Sequence, residues 1–317
     1  PGRSESPPQA GFFSPSSHAA ESVAMNQDLV ELSARGGARA SLSLTGGQLL
    51  GWTPAGGTQC LYVSPQSTPK APLRGGVPVV FPQFAAQGPL PRHGLVRTRP
   101  WQLIQQDGRG ADAMAVLRCE SNLETLAQWP HAFALELTVR IEGVVLEMEL
   151  AVENLGERAF EFQAALHTYW RIDGMATIEG LRDRPYREAG QEATQHSHTL
   201  ELLPGRAIDR IIGGPAGPLR LNDLQAQSQR SLLIEPTGFD DVVVWNPGPG
   251  HGLPDLPDEG WRDFVCLEVG QINRPARAQQ HGRLEAQAPR IDGRVGHAVV
   301  RGQTAHHDAL EAPFAQI

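Results

Sequence analysis

The stretch Phe133-Ala-Leu-Glu-Leu-Thr-Val-Arg-Ile141, followed after Gly143 by Leu146-Glu-Met-Glu-Leu-Ala-Val152, decides the fold. Phe133, Leu135, Leu137, Val139 and Ile141 fall on one face at the two-residue period of a strand, with Glu136, Thr138 and Arg140 on the other. Leu146, Met148, Leu150 and Val152 then repeat the pattern opposite Glu147 and Glu149, so the pair reads as a hairpin with one buried side. Working outward, short strand-like runs recur at 40–45, 100–106, 112–119, 160–170, 229–235, 241–245 and 263–269. Gly, Pro, Asn and Asp turns separate them, and no amphipathic helix longer than three turns is expected. Many short, turn-punctuated strands predict an all-β fold, a large antiparallel β-sandwich or barrel rather than an α/β architecture.

Composition narrows the function classes. The chain has 317 residues, 40% of them apolar and 20% charged, with a net charge of −8. That balance argues against nucleic-acid binding, which needs clustered basic residues on one face. No run approaches the length of a membrane span. Cys60, Cys119 and Cys266 show no metal-ligand spacing, and an odd count without a signal peptide points to a reducing compartment, hence a cytoplasmic protein, expected as a monomer. All but one of the 27 basic residues are arginine. Such a bias lowers the weight of any single arginine.

The two ends depart from this pattern. Residues 1–24 are rich in Ser, Pro and Ala without apolar periodicity, and are expected to be a disordered leader before a run that opens at Met25. Residues 25–273 form the expected domain. From 274 to 317 scattered Ala, Gln, Arg and His replace the alternation, which predicts a disordered tail, or a segment read from a shifted frame. The sandwich would then lack its closing strands and expose an edge.

Four segments carry polar groups suited to chemistry. The first is Arg74-Gly-Gly-Val-Pro-Val-Val-Phe-Pro-Gln-Phe84, followed by Leu90-Pro-Arg-His-Gly-Leu-Val-Arg97. Its density of backbone constraint and guanidinium groups suggests an anion clamp. In Phe160-Glu-Phe-Gln-Ala-Ala-Leu-His-Thr-Tyr-Trp170 the two-residue period sets His167 with Glu161, Gln163 and Tyr169, opposite Phe160, Phe162, Ala164 and Leu166. A histidine in a strand is commonly just a satisfied polar residue, and only its company favours a site. In Asp263-Phe-Val-Cys-Leu-Glu-Val-Gly270, Glu268 shares a face with Phe264 and Cys266, so its carboxyl should be partly buried and its pKa raised. Asp240-Asp-Val-Val-Val-Trp-Asn-Pro-Gly248 offers Asp241 and Trp245, an aromatic beside polar groups that suits a sugar ring. Arg206-Ala-Ile-Asp-Arg-Ile-Ile-Gly213 adds Asp209 as a hydroxyl acceptor.

Taken in order, Arg74-Gly-Gly-Val-Pro, His93-Gly-Leu-Val-Arg97, Leu166-His-Thr-Tyr, Asp209-Arg, Asp241-Val-Val-Val-Trp-Asn-Pro and Phe264-Val-Cys-Leu-Glu268 resemble the hexose-6-phosphate mutarotase group of the aldose 1-epimerase (galactose mutarotase-like) family. The resemblance covers about residues 25–273 and implies a supersandwich with the site on one sheet face. It implies Glu268 as base and His167 as acid, on opposite sides of the sugar, opening and reclosing the hemiacetal ring without metal or redox cofactor. It places Arg74 and Arg97 on the 6-phosphate and Asp209 on a ring hydroxyl, with His93 in a supporting binding role. Arg92, where family members often carry an uncharged residue, is expected to join the anion site, with Asp241 and Trp245 as walls. His167, as the acid, should titrate near working pH.

Three other readings remain open at this stage. The chain could be an aldose 1-epimerase for unphosphorylated sugars or a non-catalytic carbohydrate-binding domain, or His93, His167 and Glu268 could form a two-histidine, one-carboxylate metal site.

Overall fold

A computed structural model describes residues 28–68, 73–108, 110–188, 195–196, 200–202, 205–214, 217–224, 230–279 and 294–303. The expected leader, 1–24, lies outside the described residues. In chain order the strands begin with β1 (Leu29–Ser33), β2 (Arg39–Ser43), β3 (Gln48–Thr53), β4 (Val79–Val80), β5 (Gln102–Asp107) and β6 (Asp112–Glu120). A six-residue helix, α1 (Leu123–Gln128), precedes β7 (Phe133–Glu142), β8 (Val145–Asn154), β9 (Phe160–Leu166) and β10 (Tyr169–Arg171). Then follow β11 (Ala176–Glu179), β12 (Pro185–Glu188), β13 (Gln195–His196), β14 (Leu200–Leu202), β15 (Ile208–Ile212) and β16 (Leu219–Asp223). The last are β17 (Ser231–Thr237), β18 (Asp241–Asn246), β19 (Phe264–Ala278) and β20 (Arg294–Gln303).

The deciding hairpin forms as its alternation requires. Phe133 pairs with Asn154 and Ile141 with Leu146 in an unbroken antiparallel register. Leu135, Leu137, Val139, Ile141 and Leu150 are fully buried. The opposite face carries a cross-strand charge ladder, in which Arg118 reaches Glu120, Glu136 and Glu153, and Arg140 reaches Asp112, Glu142 and Glu147. Exposed pairs of this kind add little each, so the hairpin owes its stability to the apolar face, at about 1.5–3 kcal/mol per fully buried Leu, Val or Ile.

Two large sheets stack on this apolar face. One runs in the order β14-β11-β16-β17-β20-β8-β7-β6-β5, the other β13-β12-β15-β18-β19-β9-β4 with β10 also on β19, and β1-β2-β3 form a third, smaller sheet. Leu137 and Met148 from the first share one core with Leu166, Val244, Val265 and Leu267 from the second. The all-β antiparallel sandwich is therefore as expected.

The C-terminal region differs from the expectation. β19 does not stop near 273 but runs to Ala278, shifting register between Gln271 and Ala276. Pro275, which has no N–H to donate, falls inside that irregularity, where a ladder tolerates it. β20 then inserts between β8 and β17, with Val300 opposite Leu146 on one side and Ile234 on the other. The closing strand expected to be missing is present, so β8 and β17 are not edges. Gly296 and Gly302, with Arg and His between apolar residues, hide its alternation in the sequence. The remainder of the expected tail, 280–293 and 304–317, lies outside the described residues.

Candidate active site

The second face of the β12–β19 sheet is where the polar segments meet, and strand register explains why. Asp209 pairs with Trp245, Trp245 with Cys266, and Cys266 with Tyr169, which sets four side chains in one row across β15, β18, β19 and β10. One pleat further on, Ile211, Val243 and Glu268 form the next row. His167 occupies the break between β9 and β10, where both strands pair with the same neighbour, β19. Its N–H leaves that ladder for the carbonyl of Pro78, and the Thr168 carbonyl accepts instead from Leu267 N–H. Breaks of this kind re-aim a side chain. Here His167 Nδ1 comes to 3.2 Å from Glu268 Oε1.

The arginine loops close over this floor. In the Arg74 segment, a Cβ at Gly75 would collide with the Tyr62 carbonyl and Val63, so only glycine lets the chain pass there. Gly94, also at positive φ, lies against the Phe81 carbonyl in the same way. Arg74 Nε donates to Asp255 Oδ1 at 2.8 Å, its Nη1 donates to Tyr169 Oη at 3.4 Å, and its guanidinium lies 5.9 Å from the centre of the Trp245 ring. Arg97 is half-buried and Arg92 exposed. Among the described residues neither has a carboxylate in ion-pair range. Both line a cavity of about 350 Å³ with Arg99 and Glu124, which pair with each other at 3.0 Å. The His93 ring stands edge-on to His167, 5.2 Å between centres.

Comparison with known proteins gives the family. The profile of the family described as aldose 1-epimerase matches residues 28–286. The chain belongs to the aldose 1-epimerase family. An Escherichia coli K12 protein described as "Putative glucose-6-phosphate 1-epimerase" is 36% identical over 242 residues, 73% of this chain and 79% of that protein. A Salmonella typhimurium protein of the same description is 33% identical over 252 residues, 76% of this chain and 83% of its own. The crystal structure of a "putative mutarotase" from Salmonella typhimurium superposes with a TM-score of 0.74 at 26% identity, covering 87% of this chain and 90% of that one. The protein is thus an isomerase of the epimerase and mutarotase type, with an all-β galactose mutarotase-like fold.

The electrostatics of this epimerase centre on a buried pair. Glu268 is 1% exposed. Burial, reinforced by the charge of Asp209 and offset by Arg92, raises its carboxyl well above the ordinary 4.5. Burial also lowers His167 well below 6.5, helped by His93, Arg97 and Arg74. The expectation that His167 titrates near working pH therefore does not hold for the free protein, because enclosure and neighbouring cations disfavour the imidazolium. His167 and Glu268, expected on opposite sides of a sugar, lie 3.2 Å apart. Neither His167 Nδ1 nor Glu268 Oε2 has a hydrogen-bond partner among the described residues. Over 90% of buried polar groups are normally paired, so these two atoms are open to a further partner.

This burial has a stability signature. The unfolded chain ionises the Glu268 carboxyl from about pH 4.5 while the fold retains its proton, so stability falls as pH rises from 4.5 toward the raised folded value. His167 acts in the opposite sense: stability is lost as pH falls from 6.5 toward its lowered folded value. Glu268→Gln, which cannot ionise, should melt at a higher temperature than the parent protein at neutral pH. The difference should vanish below about pH 4, as thermal unfolding across pH can show.

Other expected residues are placed as follows. His93 Nδ1 accepts from Ala85 N–H at 3.3 Å, which assigns the ring hydrogen to Nε2, and the backbone N–H of His93 returns a bond to the Ala85 carbonyl. Burial and Arg97, Arg92 and Arg74 lower this histidine to about 3. With Nδ1 so engaged, His93 does not complete the metal set considered for it. The ligand atoms that do lie within 4.8 Å of one another belong to His167, Cys266 and Glu268. Asp209 is partly buried, and its carboxyl is raised mainly by burial. Trp245 borders His167 and Tyr169 edge-on, at 6.3 and 6.1 Å between ring centres.

Asp241 is not a wall. It is 1% exposed, and its carboxylate accepts from Ile272 N–H, Asn273 N–H and Asn273 Nδ2 at 2.6–2.8 Å, holding the irregular turn of β19. The strand period put it on the correct face, but those bonds occupy its oxygens. Asp241→Ala should cost roughly 2–5 kcal/mol by stranding two backbone N–H groups, measurable by urea unfolding.

Two contributors were not expected. Tyr169 stacks on the His167 ring at 4.9 Å and 8°, and the shared strand face did signal its place. Asp255, which orients Arg74, comes from a Pro/Gly-rich loop. Ser64 Oγ fixes that loop by donating to the Asp255 carbonyl at 2.6 Å, and no local pattern announces it.

Proposed function

We propose that the protein interconverts the α and β anomers of hexose 6-phosphates, as a glucose-6-phosphate 1-epimerase. The observation that carries this is the contact of His167 with the buried Glu268, 3.2 Å apart, beside three arginines. Ring opening removes a proton from the anomeric hydroxyl and delivers one to the ring oxygen; the C1–O5 bond breaks, C1 turns about C1–C2, and the ring recloses on either face. The two oxygens share one carbon, so an acid and a base in contact with each other can serve both. Glu268 takes the proton from the hydroxyl and His167 supplies the other, with the roles exchanged on closure. The pair needs one proton between them; in the free protein burial keeps it on Glu268 and leaves His167 neutral, so it passes to His167 before Glu268 acts as the base.

Arg74, Arg97 and Arg92 hold the 6-phosphate, while Asp209 and the Nε2 hydrogen of His93 bind hydroxyls, and Trp245 flanks the ring. A half-buried guanidinium at Arg97, without an ion-pair partner among the described residues, favours a phosphorylated over a neutral aldose. The names of the two bacterial relatives agree. The three buried, unpaired cysteines fit a reducing, cytoplasmic setting, and a monomer suffices because one chain supplies every group.

Dissolving the pure α anomer of glucose 6-phosphate and following its relaxation tests the reading. The protein should accelerate the approach to equilibrium in proportion to its concentration. A relaxation indistinguishable from buffer would leave a sugar-binding module as the better description.

A further inference from the structure

The arginine cluster is built as an anion site in its own right. Arg74 is oriented by Asp255 at 2.8 Å on Nε, and its Nη1 donates to Tyr169 Oη at 3.4 Å. Arg97 is half-buried and, among the described residues, Arg92 and Arg97 lack ion-pair partners. Arg97 is the member of the cluster that is costly to hold without an anion, and a dianion is its natural counter-ion.

Arg74 also reaches His167 through Tyr169. Arg74 Nη1 donates to Tyr169 Oη at 3.4 Å, and the Tyr169 ring lies flat on the His167 ring at 4.9 Å. The groups facing His167 are Glu268 at 3.2 Å, Cys266 within 4.8 Å, Tyr169 in the stack and His93 edge-on. Arg74 and Arg97 are among the charges that hold its imidazolium off. When His167 takes up its proton during the reaction, a positive charge appears beside guanidinium groups. A dianion among those groups offsets that repulsion whether or not it is bonded to the sugar.

We propose that the arginine site is an activating anion site: a free inorganic dianion bound there switches on the His167–Glu268 pair toward an unphosphorylated aldose. The substrate phosphate is then an activator as well as a handle. This rests on the proposed acid/base reading. The reaction balances as before, with the proton lost by the anomeric hydroxyl replaced at the ring oxygen and the anion unchanged.

Sulfate is a suitable probe, being a dianion too weakly basic to catalyse the exchange itself. Glucose anomer exchange is measured by NMR with the full chain, with and without sulfate at constant ionic strength set by chloride. A saturable stimulation of at least tenfold is expected, lost in Arg97→Met and reduced in the exposed-site variant Arg92→Ala. In parallel, the His167 ring ¹⁵N shifts should move toward the imidazolium as sulfate saturates, and not in Arg97→Met. Sulfate that leaves glucose exchange unchanged or inhibits it, while glucose 6-phosphate is turned over rapidly, overturns the proposal and leaves the epimerase reading intact. If neither sugar exchanges, the epimerase reading fails, and ring shifts indifferent to sulfate then sink the activating site as well.

Discussion

Glu268→Gln should slow glucose 6-phosphate anomer exchange by roughly a hundred- to ten-thousand-fold, with KM nearly unchanged. Glutamine keeps the shape and the hydrogen-bonding edge of the side chain but cannot accept and return a proton. The position is fixed by register rather than by its own contacts: Glu268 pairs with Val243 on one side, and His167 reaches it from the break on the other. The same substitution is expected to raise thermal stability at neutral pH, so a loss of exchange cannot be attributed to unfolding. Initial rates by saturation-transfer NMR, alongside melting curves, check both signs together.

Arg97→Met should lower kcat/KM for glucose 6-phosphate by about 10- to 150-fold, the equivalent of one charge-assisted hydrogen bond of roughly 1.5–3 kcal/mol. The unphosphorylated sugar should not share that loss. Arg97 carries most weight because it is half-buried and, among the described residues, unpaired, whereas Arg74 is shared with Asp255 and Arg92 is exposed. Its place on a loop rather than a strand follows from the close approach of Gly94 to the Phe81 carbonyl, which pins the turn between His93 and Arg97. Progress curves with both sugars across substrate concentration separate the phosphate contribution from damage to the proton-transfer pair.

Much of this was legible in the residues because strand chemistry repeats every two positions. The core faces of Phe133–Ile141 and Leu146–Val152, the face of His167 and Tyr169, and the face of Glu268 and Cys266 all follow from counting. Strands of two to five residues between 176 and 223 are too short for alternation to register, and β20 is masked by Gly296 and Gly302. Which carboxylate would be occupied by backbone was not legible either. Asp241 and Glu268 look alike in sequence, yet one clamps Ile272 and Asn273 while the other keeps an oxygen free. The lowered pKa of His167 was hidden for a related reason, since burial, its main cause, and the arginines that add to it, about 70 to 93 positions away in the chain, arise only through the fold.

The most direct measurement is the anomer exchange rate of glucose 6-phosphate set against that of glucose, on the same protein at the same pH and in the absence of other dianions. Exchange of the phosphorylated sugar at least a hundredfold more efficient is the expected result, because the arginines hold its phosphate and the phosphate in turn offsets the charge on His167. Equal efficiency for the two sugars would contradict it.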